Sequence, residues 1–244
     1  MCGTCGCSSH EAGGSGRTDD PERGRVVALE RDLLAANDAV AARNRERLAA
    51  ADTLALNLVA GPGAGKTTLL VATITALAGR VPVAVVEGDQ ATELDAARIR
   101  AAGAPARQVT TGKACHLDAA MIARALDDGI APAHGILFVE NVGNLVCPAG
   151  FDLGEAAKVV VASVPEGDDK PLKYPDIFAA ADLVVVNKAD LLAHVAFDLG
   201  RFTAAARRFN PAVEVLAVSA TTGDGLGAWL DWLARARARR HAAA

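Results

Sequence analysis

The fifteen-residue stretch LNLVAGPGAGKTTLL, residues 56–70, constrains the fold of this chain more than any other. An apolar β-branched run passes into a glycine-rich turn and then into a Lys-Thr-Thr helix start. That order is the signature of a strand–loop–helix unit that holds phosphate. Gly61, Gly63 and Gly65 let backbone N–H groups turn inward around phosphate oxygens at a helix N-terminus, with Ala64 and Thr68 completing the cradle. Lys66 is placed to reach the β- and γ-phosphates, and the Thr67 hydroxyl to ligate Mg²⁺. The general pattern begins with glycine where this chain has Ala60.

A strand that feeds a helix in this way needs parallel neighbours, and the rest of the chain supplies them. The runs TLALNLVAG, VPVAVVEGD, GILFVEN, AKVVVASV, DLVVVNKAD and VEVLAVSA are separated by segments of helical spacing. Near-continuous apolar runs mean strands buried on both faces, and the alternation means βαβ units. The expected fold is therefore α/β: a phosphate-loop domain with a mostly parallel sheet flanked by helices, covering 53–244. Two appendages are expected before it. Residues 1–24 contain three cysteines followed by a polar Gly/Ser-rich stretch, expected to act as a flexible tether. Residues 25–52 carry Val26, Leu29, Leu33, Val40 and Leu48 among charges, and read as an amphipathic helix with a narrow apolar face.

Composition narrows the function classes. A net charge of −4 gives no general attraction to nucleic acid or anionic membrane, and no apolar run is long enough to span a bilayer. An odd count of five cysteines, with no basic-then-apolar leader, points to the reducing cytoplasm.

The strand end VVVNKAD identifies the base. The Asp190 carboxylate can accept from N1–H and the 2-amino group of guanine, whereas adenine would leave it desolvated and unpaired. Asn187 shapes the strand end, and Lys188 would lie along the base plane. In the later VSATTGDG, Ser219 and the Ala220 N–H could meet the guanine O6 edge. ILFVENVGN puts Glu140 at a strand end three residues before Gly143, where an acidic group and a glycine sense Mg²⁺ and the γ-phosphate. Asp89 ends the preceding strand, suited to the Mg²⁺ shell or to positioning water. Lys66, Asp89 and Glu140 are thus the catalytic candidates, and Thr67, Asp89 and Glu140 the Mg²⁺ candidates. Plainer readings also fit: Glu140 as an ordinary strand-end carboxylate, Asp89 as the N-cap of a helix beginning near Thr92.

Cysteine placement raises a second chemistry. Cys115 and His116 are adjacent in TGKACHLDAAMI, and Cys147 lies four residues beyond Gly143. Two thiols and an imidazole suit Zn²⁺ or Ni²⁺ and not Mg²⁺, although buried core cysteines would give the same spacing. The opening MCGTCGC adds Cys2, Cys5 and Cys7. A disulfide knot lacks an oxidising address, and a redox pair would need a βαβ start. A zinc set that includes His10 and a nickel-holding set both stay open.

These motifs together resemble the nickel-incorporation GTPases of [NiFe]-hydrogenase maturation, the HypB family. The resemblance rests on NDAVAARNR, LNLVAGPGAGKTTLL, EGDQATELDAARI, TGKACHLDAAMI, FVENVGNLVCPAGFDLGE, SVPEGDDKPLKYPDIF, VVVNKADLL and CGTCGC, which span nearly the whole chain. It implies a GTP-hydrolysing nickel metallochaperone with a SIMIBI-type G domain. It further implies GTP- or metal-promoted homodimerisation, a nickel/zinc accessory partner, and delivery to the hydrogenase large-subunit precursor; turnover is expected to be slow because no arginine or glutamine finger is identifiable in the sequence. Two metal sites follow from it: a tight nickel site at Cys2, Cys5 and Cys7, and a nickel or zinc site at Cys115, His116 and Cys147. Relatives more often carry serine where this chain has Ala60. The urease-accessory GTPase, a rival, uses Cys-Pro-His, whereas here histidine follows cysteine directly. A nucleotide-gated metal buffer or sensor with negligible turnover is the other alternative.

Overall fold

The structure, a computed structural model, describes residues 21–89, 93–112 and 114–243, with backbone only at 21–30 and 241–243. Cys2, Cys5, Cys7 and His10, and with them most of the expected tail, lie outside these residues. The chain divides into two units at Leu33/Leu34. All packing below belongs to residues 34–244.

The elements run α1 (Pro21–Ala50), β1 (Leu54–Ala60), α2 (Lys66–Leu77), β2 (Val83–Asp89), α3 (Leu94–Ala101), β3 (Ala106–Thr110), α4 (Ala119–Asp127), β4 (Ile136–Glu140) and β5 (Ala157–Ser163). They continue through α5 (Lys170–Lys173), α6 (Pro175–Ala179), β6 (Leu183–Asn187), α7 (Leu199–Phe209), β7 (Glu214–Ala217) and α8 (Leu226–Ala243). Seven strands form one sheet in the order β3-β2-β4-β1-β5-β6-β7, every pairing parallel. The expected α/β fold is what the chain adopts.

Six of the strands are the apolar runs read from the sequence; β3, ARQVT, is the seventh. It is an edge strand with no fully buried residue, and Arg107 and Gln108 interrupt its apolar pattern, whereas β7 at the other edge keeps Val215, Leu216 and Ala217 in a row. All seven residues of β1 are buried, as expected of a central strand covered on both faces. One face packs Leu58, Phe138 and Val159 against Leu69, Leu70 and Trp229 of α2 and α8. The other face divides, with Val160 and Val184 meeting Phe178 and Phe202 on one side. On the other side Val86 and Leu137 meet Leu48 and Ile122.

Helix α1 differs from the expected apolar stripe. Leu33 is 59 % exposed, and the buried residues are Asn37, Ala41, Asn44 and Leu48. Their spacing is still helical, but two of the four are amides. Their partners are the carbonyls and N–H groups at the start of α4 and in the 152–153 loop, described below. No helix among the described residues is long and apolar enough to cross a membrane.

The strand order reverses at β1, flanked by β4 and β5. The crevice outside the carboxyl ends of the strands at such a point is where open parallel sheets bind ligands. Residues at the ends of β1, β2, β4 and β6 are those singled out from the sequence.

Candidate functional site

The turn between β1 and α2 is shaped by its glycines. Gly63 and Gly65 have φ of 77° and 93°, conformations that favour glycine. A Cβ on Gly65 would lie 2.6 Å from Asn187 Nδ2, and one on Gly61 would lie 2.5 Å from Glu166 Oε1. Position 65, with its positive φ and the close Asn187 side chain, therefore requires glycine, whereas at Gly61 the Glu166 side chain would have to shift. Helix α2 opens with Gly65 as N-cap and no side-chain cap, which leaves its first-turn N–H groups for an anion. Lys66 and Thr67 are buried at this turn. Burial pushes the Lys66 ammonium below its usual range, opposed chiefly by the Glu140 charge. A polyanion seated over the loop would restore the lost favourable charge.

The end of β6 closes over the loop. Asn187 Nδ2 donates to the carbonyls of Ala64 at 3.0 Å and Gly65 at 3.4 Å, and its Oδ1 accepts from the Ala220 N–H at 3.2 Å. Lys188, with a left-handed φ of 59°, donates to the Gly63 carbonyl at 2.7 Å. Its stem thus spans from the end of β6 to the phosphate loop. Ser219 Oγ donates to Asp190 Oδ1 at 2.5 Å. Of the two groups expected at the guanine O6 edge, the Ala220 N–H donates to Asn187, and the Ser219 hydroxyl donates to Asp190. Asp190 itself is exposed.

At the end of β4, Glu140 is buried and its Oε1 accepts from the Thr67 hydroxyl at 2.7 Å. Its Oε2 has no hydrogen-bond partner. Burial raises its pKa to about 7, with Lys66 the main opposing charge. A buried carboxylate oxygen beside a threonine hydroxyl at a phosphate loop is a donor set that fits a hard divalent cation such as Mg²⁺. Asp89 ends β2, two strands from β1. It is not a helix cap: the N-cap of α3 is Glu93. Glu87, which the sequence reading passed over, pairs in register with Glu140 across β2 and β4, so both carboxylates share one face. It too is buried with an unpartnered Oε2, and burial with the Glu140 charge raises it to about 8. The visible signal was a glutamate inside the otherwise apolar VPVAVVEGD.

Cys115, His116 and Cys147 come together. Their ligand atoms lie within 4.8 Å of one another, and theirs is the only such cluster found among the described residues. The two Sγ atoms are 2.9 Å apart as free thiols, and Cys115 Sγ lies 3.7 Å from His116 Nδ1. Burial lowers the His116 pKa, which favours the neutral imidazole a metal requires. The ring packs on Phe151, centroids 4.0 Å apart. Two thiols and one imidazole leave room for a fourth ligand on a borderline-soft ion.

Residues distant in sequence hold this cluster. Asn44 Nδ2 donates to the carbonyls of Ala119 at 2.8 Å and Leu153 at 3.1 Å, and Asn37 accepts from the Ala119 N–H at 2.9 Å and donates to the Asp152 carbonyl at 2.7 Å. Helix α1 therefore grips the chain just after Cys115–His116 and just after the Cys147 turn. Lys158, buried on β5, donates to the carbonyls of Pro148 and Ala149 at 3.1 Å and Phe151 at 3.3 Å. It caps the helical turn that begins at Cys147. Sequence reasoning missed all three. Lys158 was legible only as a cation inside a strand, and the asparagines only as a seven-residue spacing.

Lys170 and Lys173 lie in the short helix α5. Lys170 pairs with Glu166 at 3.2 Å and Lys173 with Asp169 at 2.5 Å.

Known proteins match this geometry. The family described as CobW/HypB/UreG, nucleotide-binding domain, matches residues 54–217. The chain is 54 % identical over 237 residues to the hydrogenase maturation factor HypB of Azotobacter chroococcum, covering 96 % of this chain and 78 % of that protein. The crystal structure of HypB from Archaeoglobus fulgidus superposes with a TM-score of 0.78 at 40 % identity, covering 83 % of this chain and 99 % of that one. A HypB structure from Helicobacter pylori in complex with nickel gives 0.78 at 39 % identity, covering 83 % and 95 %. This chain belongs to the HypB family of hydrogenase maturation factors, within the CobW/HypB/UreG nucleotide-binding class.

Proposed function

We propose that this protein is a cytoplasmic, GTP-hydrolysing nickel metallochaperone that helps load the [NiFe]-hydrogenase large subunit. The observation that carries the reading is the adjacency of two chemistries at one strand end. Glu140 bonds Thr67 of the phosphate loop, and seven residues later Cys147 meets Cys115 and His116.

Asp190, oriented by Ser219, selects guanine. The loop N–H groups and Lys66 hold the phosphates. Thr67, Glu140 and Asp89 would hold Mg²⁺, which would supply charge to offset the phosphates. Glu140 and Asp89 are also the groups placed to orient water. Turnover is slow because no arginine or glutamine finger is evident from the sequence. Nickel or zinc is taken by Cys115, His116 and Cys147, and a second nickel by Cys2, Cys5 and Cys7 in the 1–24 tail. GTP favours a homodimer, and loss of the γ-phosphate releases the 140–147 segment and its metal. The partners are a nickel/zinc accessory protein and the large-subunit precursor. A HypB relative crystallised with nickel supports the cargo assignment.

The test pairs hydrolysis with metal titration. GTP should be hydrolysed and ATP not. Two Ni²⁺ equivalents should bind the full chain, and one should remain after Cys2, Cys5 and Cys7 are changed to serine. Equal use of ATP, or no binding in the serine variant, overturns the reading.

A further inference from the structure

Strand β4 ends between two sites, and the five residues Glu140–Asn144 divide their contacts between them. Glu140 bonds Thr67, and Gly143 lies so close to Pro62 that a Cβ would come within 3.2 Å; both touch the phosphate loop. Asn141 and Asn144 instead reach the metal-bearing loop. Asn144 Nδ2 donates to the Cys115 carbonyl at 3.2 Å. Asn141 Oδ1 accepts from the Leu117 N–H at 3.0 Å and from the Val142 N–H at 3.0 Å, while its Nδ2 donates to Asn57 Oδ1 at 3.2 Å.

We propose that Asn141 is the positioning residue that ties the metal-bearing loop to the nucleotide-sensing end of β4. Successive side chains along an extended segment point to opposite faces of a sheet. Glu140 therefore faces α2 while Asn141 faces α4. A displacement of this segment, felt by Glu140 as phosphate contacts change, must carry Asn141 with it. Asn141 is 2 % exposed, so a lost bond to Leu117 would not be replaced by water. Leu117 directly follows His116 and is wedged under β2, where a Cβ on Gly88 would lie 2.8 Å from its side chain. The loop has little freedom to absorb the movement except at Cys115 and His116. Asn57 anchors the other side of the amide, through Glu155 at 3.1 Å, to the Leu153 N–H at 2.6 Å beyond the Cys147 turn. One amide thus links both metal-bearing segments to one strand end.

The assignment rests on the nucleotide-linked nickel reading above, and its test separates the two. The full chain with Cys2, Cys5 and Cys7 changed to serine makes added Ni²⁺ report the inner cysteines alone. Ni²⁺ affinity is measured by chelator competition with GDP and with a non-hydrolysable GTP analogue, for this parent and for Asn141→Leu and Asn141→Asp. The parent should show a nucleotide-dependent ratio, in the roughly 5- to 150-fold range usual for coupled sites. Asn141→Leu should keep the Ni²⁺–thiolate absorption band while the ratio falls to about one. Asn141→Asp, which keeps the acceptor for Leu117, should retain most of the ratio. An undiminished ratio in Asn141→Leu overturns the assignment and leaves the functional reading standing. A ratio of about one already in the parent overturns both. Should Asn141→Leu fail to fold, amide exchange at Leu117 in the parent decides. Protection that differs between GDP and the GTP analogue supports the tie, and identical protection beside a nucleotide-dependent affinity contradicts it.

Discussion

The phosphate loop and the cysteine cluster lie at the same edge of the sheet but are built in opposite ways. The loop is local in its chain path: strand, turn and helix are contiguous over residues 54–77, its shape comes from glycine backbone geometry, and Asn187 and Lys188 at the end of β6 brace it from afar. The cluster is assembled from segments 32 residues apart. Its loops are held by hydrogen bonds borrowed from α1, β4 and β5: Asn37, Asn44, Asn141 and Lys158. A site made from backbone stands where its strand and helix put it. A site made from borrowed side-chain bonds moves when any lender moves, which is the property the proposed metal release would need.

Substitutions can break this contrast, and the largest effect is expected at Lys66. Lys66→Ala should lower GTP turnover by about 10²–10³-fold, the usual cost of one lost charge-stabilising donor. Ni²⁺ binding at the inner cysteines should survive, as titration of the same variant will show. Lys158→Met should spare the loop and strike the cluster. It strips the Cys147 turn of its donor and leaves the buried Glu155 facing no cation, which costs about 3 kcal/mol in denaturant unfolding. Ni²⁺ affinity should fall about tenfold with it, as for a lost outer-shell partner. Asp190→Ala should relax the preference for GTP over ATP by roughly ten- to a hundredfold in competition binding, without touching metal affinity. Asn44→Ala, which frees two carbonyls flanking the cluster, should cost about 1–2 kcal/mol of stability and leave nucleotide affinity unchanged.

The smallest effect is a slope with pH. Glu87 and Glu140 hold protons in the folded chain up to about 8 and about 7, whereas their ordinary value is 4.5. Between these limits the folded state binds more protons than the unfolded one, so stability must fall as pH rises. The nucleotide- and metal-free protein should therefore melt at a higher temperature at about pH 5 than at about pH 8, and Glu87→Gln should flatten that slope. Lys66, lowered by burial, acts with the opposite sign toward alkaline pH.

The same contrast explains what could be read from the sequence. Lys66, Thr67, Asn187 and Asp190 were legible because each sits in a short contiguous motif at a strand end. Cys115, His116 and Cys147 were legible by residue type, since thiols and imidazole carry their chemistry wherever they fall. Strand β3 escaped because Arg107 and Gln108 sit inside it, which an exposed edge tolerates. The expected face of α1 is the buried one, with Leu48 at its end. Its buried Asn37 and Asn44 went unread because they are polar and their partners are backbone groups brought close only by the assembled fold. Lys158, Glu87 and Asn141 were hidden for a related reason: each is a polar group whose partners lie on another segment of the fold.

The most direct measurement is Ni²⁺ affinity at the inner cysteines in the two nucleotide states of one protein. With Cys2, Cys5 and Cys7 replaced by serine, chelator competition should give dissociation constants differing by at least about fivefold between GDP and a non-hydrolysable GTP analogue. The GTP state should bind more tightly. Equal constants in the two states, with both nucleotides bound, would contradict the coupling of the two sites.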